Sequence, residues 1–572
     1  VGAEISEPGS TRRVTCLVEA EAGYRSLCRL LSRRHAPPDF DLAAARLAGS
    51  QGLTILGDDL PLLRELWEAG LKPVADLGPQ PTAAGRRLRN WARSRGVTAV
   101  ATPASRIAGD DQRELYRLLR AIARNTTLSR LETLEPSVGV QPLWGPEVYR
   151  RRFAVWPEVL PATMAVAERC TFTGPAFGIV MPPWRGGGDN EAGRVLRQKA
   201  YAGARRRYGD DLGETVVDRL EHELRIIAAM GYSAYFLVVR DIVHRKGEDG
   251  RRHKRRICGR GSGAASLVAY CLDITNVCPI RYNLYFERFL NPGRRDPPDI
   301  DIDFAWDERD GVLADVLGDY GGQAAMVCNH IRFQPRMAIR ETAKVFGLPE
   351  GEIARLTRRL PWLSRCDGEG LQQRLQGLPS LADQDFSEPW PTILRLATRL
   401  IGLPRHLSVH SGGVIITPGP ITDYVPIEYA AKEVPIRVPI IQWDKDGAEE
   451  AGLVKIDILG NRSLGVIRDC IAAVRQDGAP PPESGWNPED DPPTREAIAC
   501  GRTMGCFYIE SPAMRLLEQK AGSGDFEQLV IQSSIIRPAA NEFVREYVRR
   551  LHGGGWQPLH PAVGDILDET YG

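Results

Sequence analysis

From Asp299 to Phe304 the chain reads Asp-Ile-Asp-Ile-Asp-Phe, acid and apolar residue alternating without a break. A period of two belongs to a β-strand, whose successive side chains point to opposite faces. The pattern predicts a strand with Asp299, Asp301 and Asp303 on one face, roughly 7 Å from one to the next. Like charges so close repel unless water screens them or a cation holds them. From this stretch alone two readings stay open. One is an exposed edge strand whose carboxylates block aggregation. The other is a Mg²⁺ site, because that ion takes a few carboxylates plus phosphate oxygens. An EF-hand calcium loop does not fit: Phe304 stands where the loop needs Gly, and Asp310 where it needs Glu.

A metal–phosphate site also needs a phosphate holder. Upstream lies "CGRGSGAASLVAYCL", Cys258 to Leu272, in which Gly259, Gly261 and Gly263 precede small residues and a helical run. Such a turn can aim backbone N–H groups and a helix N-terminus at an anion, with Ser262 adding a hydroxyl and Arg260 a bidentate fork. It is neither a Walker A motif nor a dinucleotide fingerprint. Arg288 and Arg294 lie just before the acidic strand and either reach a triphosphate or balance its charge. A further acid, Asp457, is the only one in the apolar run Leu453–Leu459, with Lys455 two positions earlier on the same strand face. A lone acid among apolar residues needs a partner; an edge-strand Lys–Asp pair and a site carboxylate are both consistent with it.

At 572 residues the chain should hold roughly three or four domains. No run approaches the roughly 20 apolar residues of a membrane span, and the start lacks the apolar segment of a secretory signal. Eleven scattered cysteines with no C-x-x-C pair point to no zinc ribbon or disulfide framework; a reducing, cytoplasmic setting is expected. Net charge is only +1, yet basic residues cluster at His244–Arg256 and acids at Asp296–Asp310, so a basic groove beside an acidic site is possible. A basic run by itself is equally a solvated loop. Val1 is not methionine and the chain stops at "DETYG", so a fragment cut at both ends is expected. Short apolar runs alternate with helical stretches over 1–150, an α/β pattern. Longer helices follow, including one run from Val216 to Arg245. The stretch 331–410 is mostly helical by period and is followed by β-branched segments, as though a strand-rich unit were interrupted and resumed. Gly478–Glu496, Pro-rich and acidic, reads as an exposed loop.

The ordered set "GRGSGAASLVAY", "LYFERFLNPGRRDPPDIDIDF", "HSGGVIIT", "QWDKDGAEEAGLVKIDILG" and "GCFYIESPAM" resembles the C-family DNA polymerases, the alpha subunits of bacterial DNA polymerase III and their error-prone relatives. The likeness runs from about Val148 to the end. The N-terminal part, with "VTAVATPASRI", resembles less closely the later portion of the family's PHP domain. The resemblance implies an α/β multidomain fold: a degenerate, partial PHP-like domain (1–150), a polymerase-β-like nucleotidyltransferase palm (151–330 and 413–462), a helical thumb (331–412) and the beginning of the fingers (463–572). It implies Asp299, Asp301 and Asp457 as catalytic residues holding two Mg²⁺ ions, Lys455 at the active site, and Arg260, Gly261, Ser262, Arg288 and Arg294 on the incoming triphosphate. Asp303 is not an expected ligand, since one branch of the family has Asn there.

The implied activity is template-directed transfer of nucleotides from dNTPs to a primer 3′-hydroxyl, in DNA replication or error-prone repair synthesis. The implied partners are primer–template DNA, dNTPs and, for the full-length protein, a sliding clamp and other replisome or repair subunits; no membrane is involved. Histidine-bearing PHP motifs are missing, so no PHP metal is expected. "RPAA" at Arg537–Ala540 replaces the usual R-P-G-P and points to a divergent, error-prone subfamily. Because the fingers and later domains are cut short, the fragment is expected to bind DNA weakly and synthesise little. Two alternatives are a catalytically silent DNA-binding or scaffolding piece and a non-templated nucleotidyltransferase on the same palm.

Overall fold

The computed structural model describes residues 1–36, 40–42, 51–134, 141–184, 188–246, 252–293, 298, 300–360, 371–433, 437–476, 488–537, 541–558 and 560–572. Asp299, Arg294 and residues 538–540 therefore lie outside the described residues. The chain is a mixed α/β multidomain protein that divides into two compact units. One holds Val1–Asp303 and Glu308–Leu459; the other holds Phe304–Asp307 and Gly460–Gly572.

The first unit opens with a five-stranded sheet in sequence order, β1 (Gly2–Ser6), β2 (Arg13–Val18), β3 (Leu53–Gly57), β4 (Val74–Asp76) and β5 (Ala99–Val100). β1 to β3 pair antiparallel and β3 to β5 parallel. Val14, Cys16 and Val18 alternate into the core from β2, the period-two pattern of a strand with one face covered. The Glu21–His35 helix ties this sheet to a second one: Tyr24 donates to the carbonyl of Tyr424 at 2.8 Å, and Ser32 Oγ accepts from Ile427 N at 3.0 Å.

The helices Glu214–Ala229 and Ser233–Val243 occupy the run read as one long helix. Gly231, at φ +73°, breaks it, and the two axes meet at 111°. Left-handed backbone costs glycine little. Tyr235 to Val239 are all buried, so this apolar helix is a core helix. No single helix among the described residues is long and apolar enough to cross a membrane. The basic run beyond it forms a two-stranded ribbon, β6 (His244–Lys246) and β7 (Arg252–Lys254).

Seven strands make the second sheet: β8 (Ile257–Arg260), β9 (Asp301–Ala305), β10 (Ala324–Arg332), β11 (Pro404–Ile416), β12 (Ile427–Glu433), β13 (Arg437–Ile441) and β14 (Lys455–Asn461). Their order is β12-β13-β10-β11-β14-β9-β8. The strand-rich unit is interrupted and resumed, because the helices from Pro335 to Leu400 leave from β10 and return into its antiparallel neighbour β11. The helical stretch is shorter than 331–410, since β10 runs to Arg332 and β11 begins at Pro404. Those helices share a core with Leu118, Ala121 and Leu131 from the helices Arg113–Ala123 and Leu128–Leu134.

The second unit is helical. Its Pro512–Ala521 helix shows how local chemistry sets the ends: Ser511 caps it by accepting from Met514 N, Pro512 opens it, and Gly522 closes it at φ +61°. Asp307 is held by two hydrogen bonds from Arg468 at 2.7 and 3.0 Å. The loop read at Gly478–Glu496 is shorter than expected, because Asp491 caps a helix at Pro492–Ala499; residues 477–487 lie outside the described residues.

Candidate catalytic site

β9 and β14 are hydrogen-bonded neighbours, so the acids of two distant sequence segments meet in one sheet. On β9 the alternation holds. Arg260 Nε lies 4.0 Å from Asp301 Oδ2 and 3.5 Å from Asp303 Oδ1, which puts both acids on one face. The strand is not the half-exposed edge that alternation permits: Ile302, Asp303 and Phe304 are buried, while Asp301 keeps part of its carboxylate exposed. Arg260, rather than Arg288, balances the strand. Arg288 is exposed on the Phe286–Arg288 turn, and among the described residues it forms no ion pair with these acids.

On β14, Lys455 and Asp457 share a face and pair directly, Nζ donating to Oδ2. They are 9% and 8% exposed, respectively. β11 lies against them through Gly413 opposite Asp457 and Ile415 opposite Lys455. A Cβ at Gly413 would come within 3.0 Å of the Lys455 chain and of His410 Nδ1, so the glycine lets the strands close over the pair. His410 is a residue that the motif "HSGGVIIT" contained but to which no role was attached. Its Nδ1 accepts from the N–H groups of Gly412 and Gly413 at 3.2 and 2.7 Å and lies 3.9 Å from Asp457 Oδ1.

β8 leads into a 3-10 turn, Gly261–Ala265, and the short helix Leu267–Cys271. Gly261 sits at φ +69°, and a Cβ there would be 3.6 Å from Asp301 Oδ2. The turn is thus pressed against the carboxylate strand, with Arg260 and Ser262 on either side of the glycine. One expectation is corrected here: the helix N-terminus does not present free N–H groups to a ligand. Glu223, fully buried on the Glu214–Ala229 helix, accepts from Leu267 N at 2.9 Å, Val268 N at 3.0 Å and Ser266 Oγ at 2.8 Å. Arg219 donates to the same carboxylate at 2.7 Å. Burial pushes the Glu223 carboxyl up, while those donors pull it down. An internal carboxylate has taken the role of the anion. The sequence did carry a signal for it, an acid at helical spacing among Leu220, Leu224 and Ile227.

Among the described residues no three His, Cys, Asp or Glu side chains converge closely enough to hold a metal ion. The donor chemistry still suits a hard cation. Asp457 Oδ1 is buried and accepts no hydrogen bond, a costly state for a carboxylate oxygen. Asp301 offers a partly exposed carboxylate on the adjoining strand. The third predicted ligand, Asp299, lies outside the described residues, as does Arg294.

Comparison with known proteins gives a consistent result. Residues 194–460 match the family model described as the bacterial DNA polymerase III alpha NTPase domain. Residues 463–572 match that of the bacterial DNA polymerase III alpha subunit finger domain. A protein of Symbiobacterium thermophilum named error-prone DNA polymerase is 34% identical over 501 residues, 86% of this chain and 44% of its own. Proteins of the same name from Pseudomonas paraeruginosa and Mycolicibacterium paratuberculosis are 33% and 31% identical, over 97% and 100% of this chain and 54% of their own. The chain spans about half the length of these relatives.

Proposed function

This chain belongs to the bacterial DNA polymerase III alpha family, and we propose that it is the portion of a template-directed DNA polymerase that carries the nucleotidyl-transfer site. The observation that carries this reading is the pairing of β9 with β14, which puts the strands bearing Asp301 and Asp457, from distant segments of the chain, side by side in one sheet. The relatives' shared name favours an error-prone role. In this reading 151–330 and 413–462 form the palm, 331–412 the thumb, 463–572 the beginning of the fingers, and 1–150 a partial PHP-like domain without a metal. The substrates are primer–template DNA and dNTPs; a sliding clamp and other replisome or repair subunits are partners of the whole protein.

Asp299, Asp301 and Asp457 would hold two Mg²⁺ ions, whose chemistry is to acidify a hydroxyl nucleophile and offset charge on transferring and leaving phosphates. Lys455 fixes the orientation of Asp457 through its hydrogen bond to Oδ2. Arg260, half exposed and shared between Asp301 and Asp303, exchanges these carboxylates for phosphate oxygens of the incoming triphosphate. Gly261 allows the backbone to approach the phosphates, Ser262 contributes a hydroxyl, and Arg288 and Arg294 complete the cationic rim. Glu223 and Arg219 hold the turn at a constant height over β9. Asp303, buried, supports Arg260 and is not a ligand.

The test is primer extension by the complete gene product with Mg²⁺ and four dNTPs, beside Asp301→Asn and Asp457→Asn. Each substitution is expected to lower the rate by about a thousandfold, the several kcal/mol that metal-assisted charge stabilisation supplies. Absence of templated addition by the wild type sinks the polymerase reading. Undiminished extension by both variants sinks the site.

A further inference from the structure

A cavity of about 660 Å³ lies in the first unit and shares none of the residues assigned to the carboxylate site. Its lining includes Lys199, Arg206, Arg207, Arg240, His244 and Asp273, four permanent cations against one carboxylate. We propose that this cavity is a second anion site, one that binds a phosphate group.

Three elements bring the cations together. The Asp189–Tyr208 helix supplies Lys199, Arg206 and Arg207, and the Ser233–Val243 helix supplies Arg240. Asp273 follows the short helix Leu267–Cys271 in left-handed backbone, φ +63°, a conformation that an L-residue other than Asn or Asp rarely takes. From there its two oxygens set two guanidinium groups: Arg206 Nη2 donates to Oδ2 at 2.6 Å and Arg207 Nη2 to Oδ1 at 2.9 Å. The Arg207 guanidinium also stacks on the Tyr270 ring, 4.2 Å from its centroid, and its Nε is buried without a hydrogen-bond partner. Arg207 is thus an oriented donor fork, and Arg206, about half exposed, can turn toward a ligand.

Oriented guanidinium forks with an ammonium beside them match the charge and tetrahedral oxygens of phosphate. Among the described residues the lining holds no Phe, Tyr or Trp on which a base could stack, and its cations match a phosphate rather than a nucleobase. The volume falls within the range of small-ligand sites, about 300–1,000 Å³. The wall of the cavity backs onto β8, since a Cβ at Gly259 would lie 2.2 Å from the Ile274 carbonyl oxygen, next in chain to Asp273. The same chemistry suits a free polyphosphate or a nucleic-acid backbone phosphate.

The experiment uses the whole 572-residue chain in EDTA, so that divalent metal does not contribute. Inorganic pyrophosphate is titrated by calorimetry into wild type, Arg206→Ala, Lys199→Gln and Asp301→Asn; duplex DNA is titrated by anisotropy over a salt series. For a free polyphosphate, pyrophosphate binds the wild type and weakens about tenfold in Arg206→Ala and Lys199→Gln, as expected for one lost charge-assisted hydrogen bond. For a backbone phosphate, pyrophosphate binding is the same in wild type, Arg206→Ala and Lys199→Gln, and the log–log salt slope of DNA binding falls by about 0.9 in each basic variant. If Arg206→Ala and Lys199→Gln alter neither ligand, the site is overturned. A change confined to Asp301→Asn would put the anion at the glycine turn and overturn it too.

Discussion

Lys455 and Asp457 stand two residues apart on β14 and neutralise each other through Nζ and Oδ2, while Asp457 Oδ1, equally buried, accepts no hydrogen bond. A pair so enclosed is held by mutual dependence. Lys455→Met should destabilise the first unit by about 3–5 kcal/mol, because it leaves an uncompensated buried carboxylate. Adding Asp457→Leu should recover most of that loss. Urea denaturation of the single and double variants measures both; a single variant that costs under about 1 kcal/mol would show that Asp457 is satisfied without Lys455.

Glu223 is the carboxylate on which the turn above β9 depends. Glu223→Gln removes the charge facing Arg219 and can no longer accept from Ser266, Leu267 and Val268 together. A loss of about 3–5 kcal/mol is expected. Hydrogen exchange at the amides of Leu267 and Val268 should quicken more than at the β10 amides. Equal acceleration in both places would mean that Glu223 supports the unit as a whole and not the turn.

Arg395 donates two hydrogen bonds of 2.8 Å to Glu114, joining the Trp390–Leu400 helix to the Arg113–Ala123 helix. Arg395 holds the Glu114 carboxyl below its ordinary value of 4.5. Because the folded value is the depressed one, the stabilisation is present above pH 4.5 and is lost as pH falls through the folded value. Both groups are about half exposed, so the effect should stay below about 1 kcal/mol. Wild type should exceed Glu114→Gln in stability at pH 7, with the gap closing below pH 4.5. A gap independent of pH would locate the effect in packing and not in charge.

Gly203 marks the closest helix contact beside the basic cavity. A Cβ there would fall 1.9 Å from the Cys271 carbonyl oxygen, whereas one at Gly318, in the Arg309–Tyr320 helix, would meet nothing within 4 Å. Gly203→Ala should cost about 1–3 kcal/mol through overpacking. Gly318→Ala should gain up to about 1 kcal/mol, because alanine loses less backbone entropy in a helix. Thermal melts of the two variants should therefore move in opposite directions.

Much of the site was legible along the chain because strand periodicity is local. Asp301 and Asp303 share a face because their spacing is two, and Lys455 and Asp457 do so for the same reason. Gly261 could be read as part of a turn, but nothing along the chain marked Gly413 as the close approach to Lys455 and His410. Glu223 was missed for the opposite reason. It serves amides more than forty residues away, and an acid on an apolar helix face does not reveal which buried donors it will meet. His410 was passed over because its neighbours on β14 lie over forty positions downstream.

The sequence by itself determined the two acidic strands, the glycine turn, the helices inserted between β10 and β11, and the family to which these belong. Each is encoded by residues within one turn or a few strand positions of one another. The tertiary structure decided that β14 pairs with β9, that Arg260 and not Arg288 balances the acids, that the helix end is closed by Glu223, and that four cations share one cavity with Asp273. Those outcomes depend on which buried charges find each other when distant segments pack, and desolvation makes each choice costly to leave unpaired.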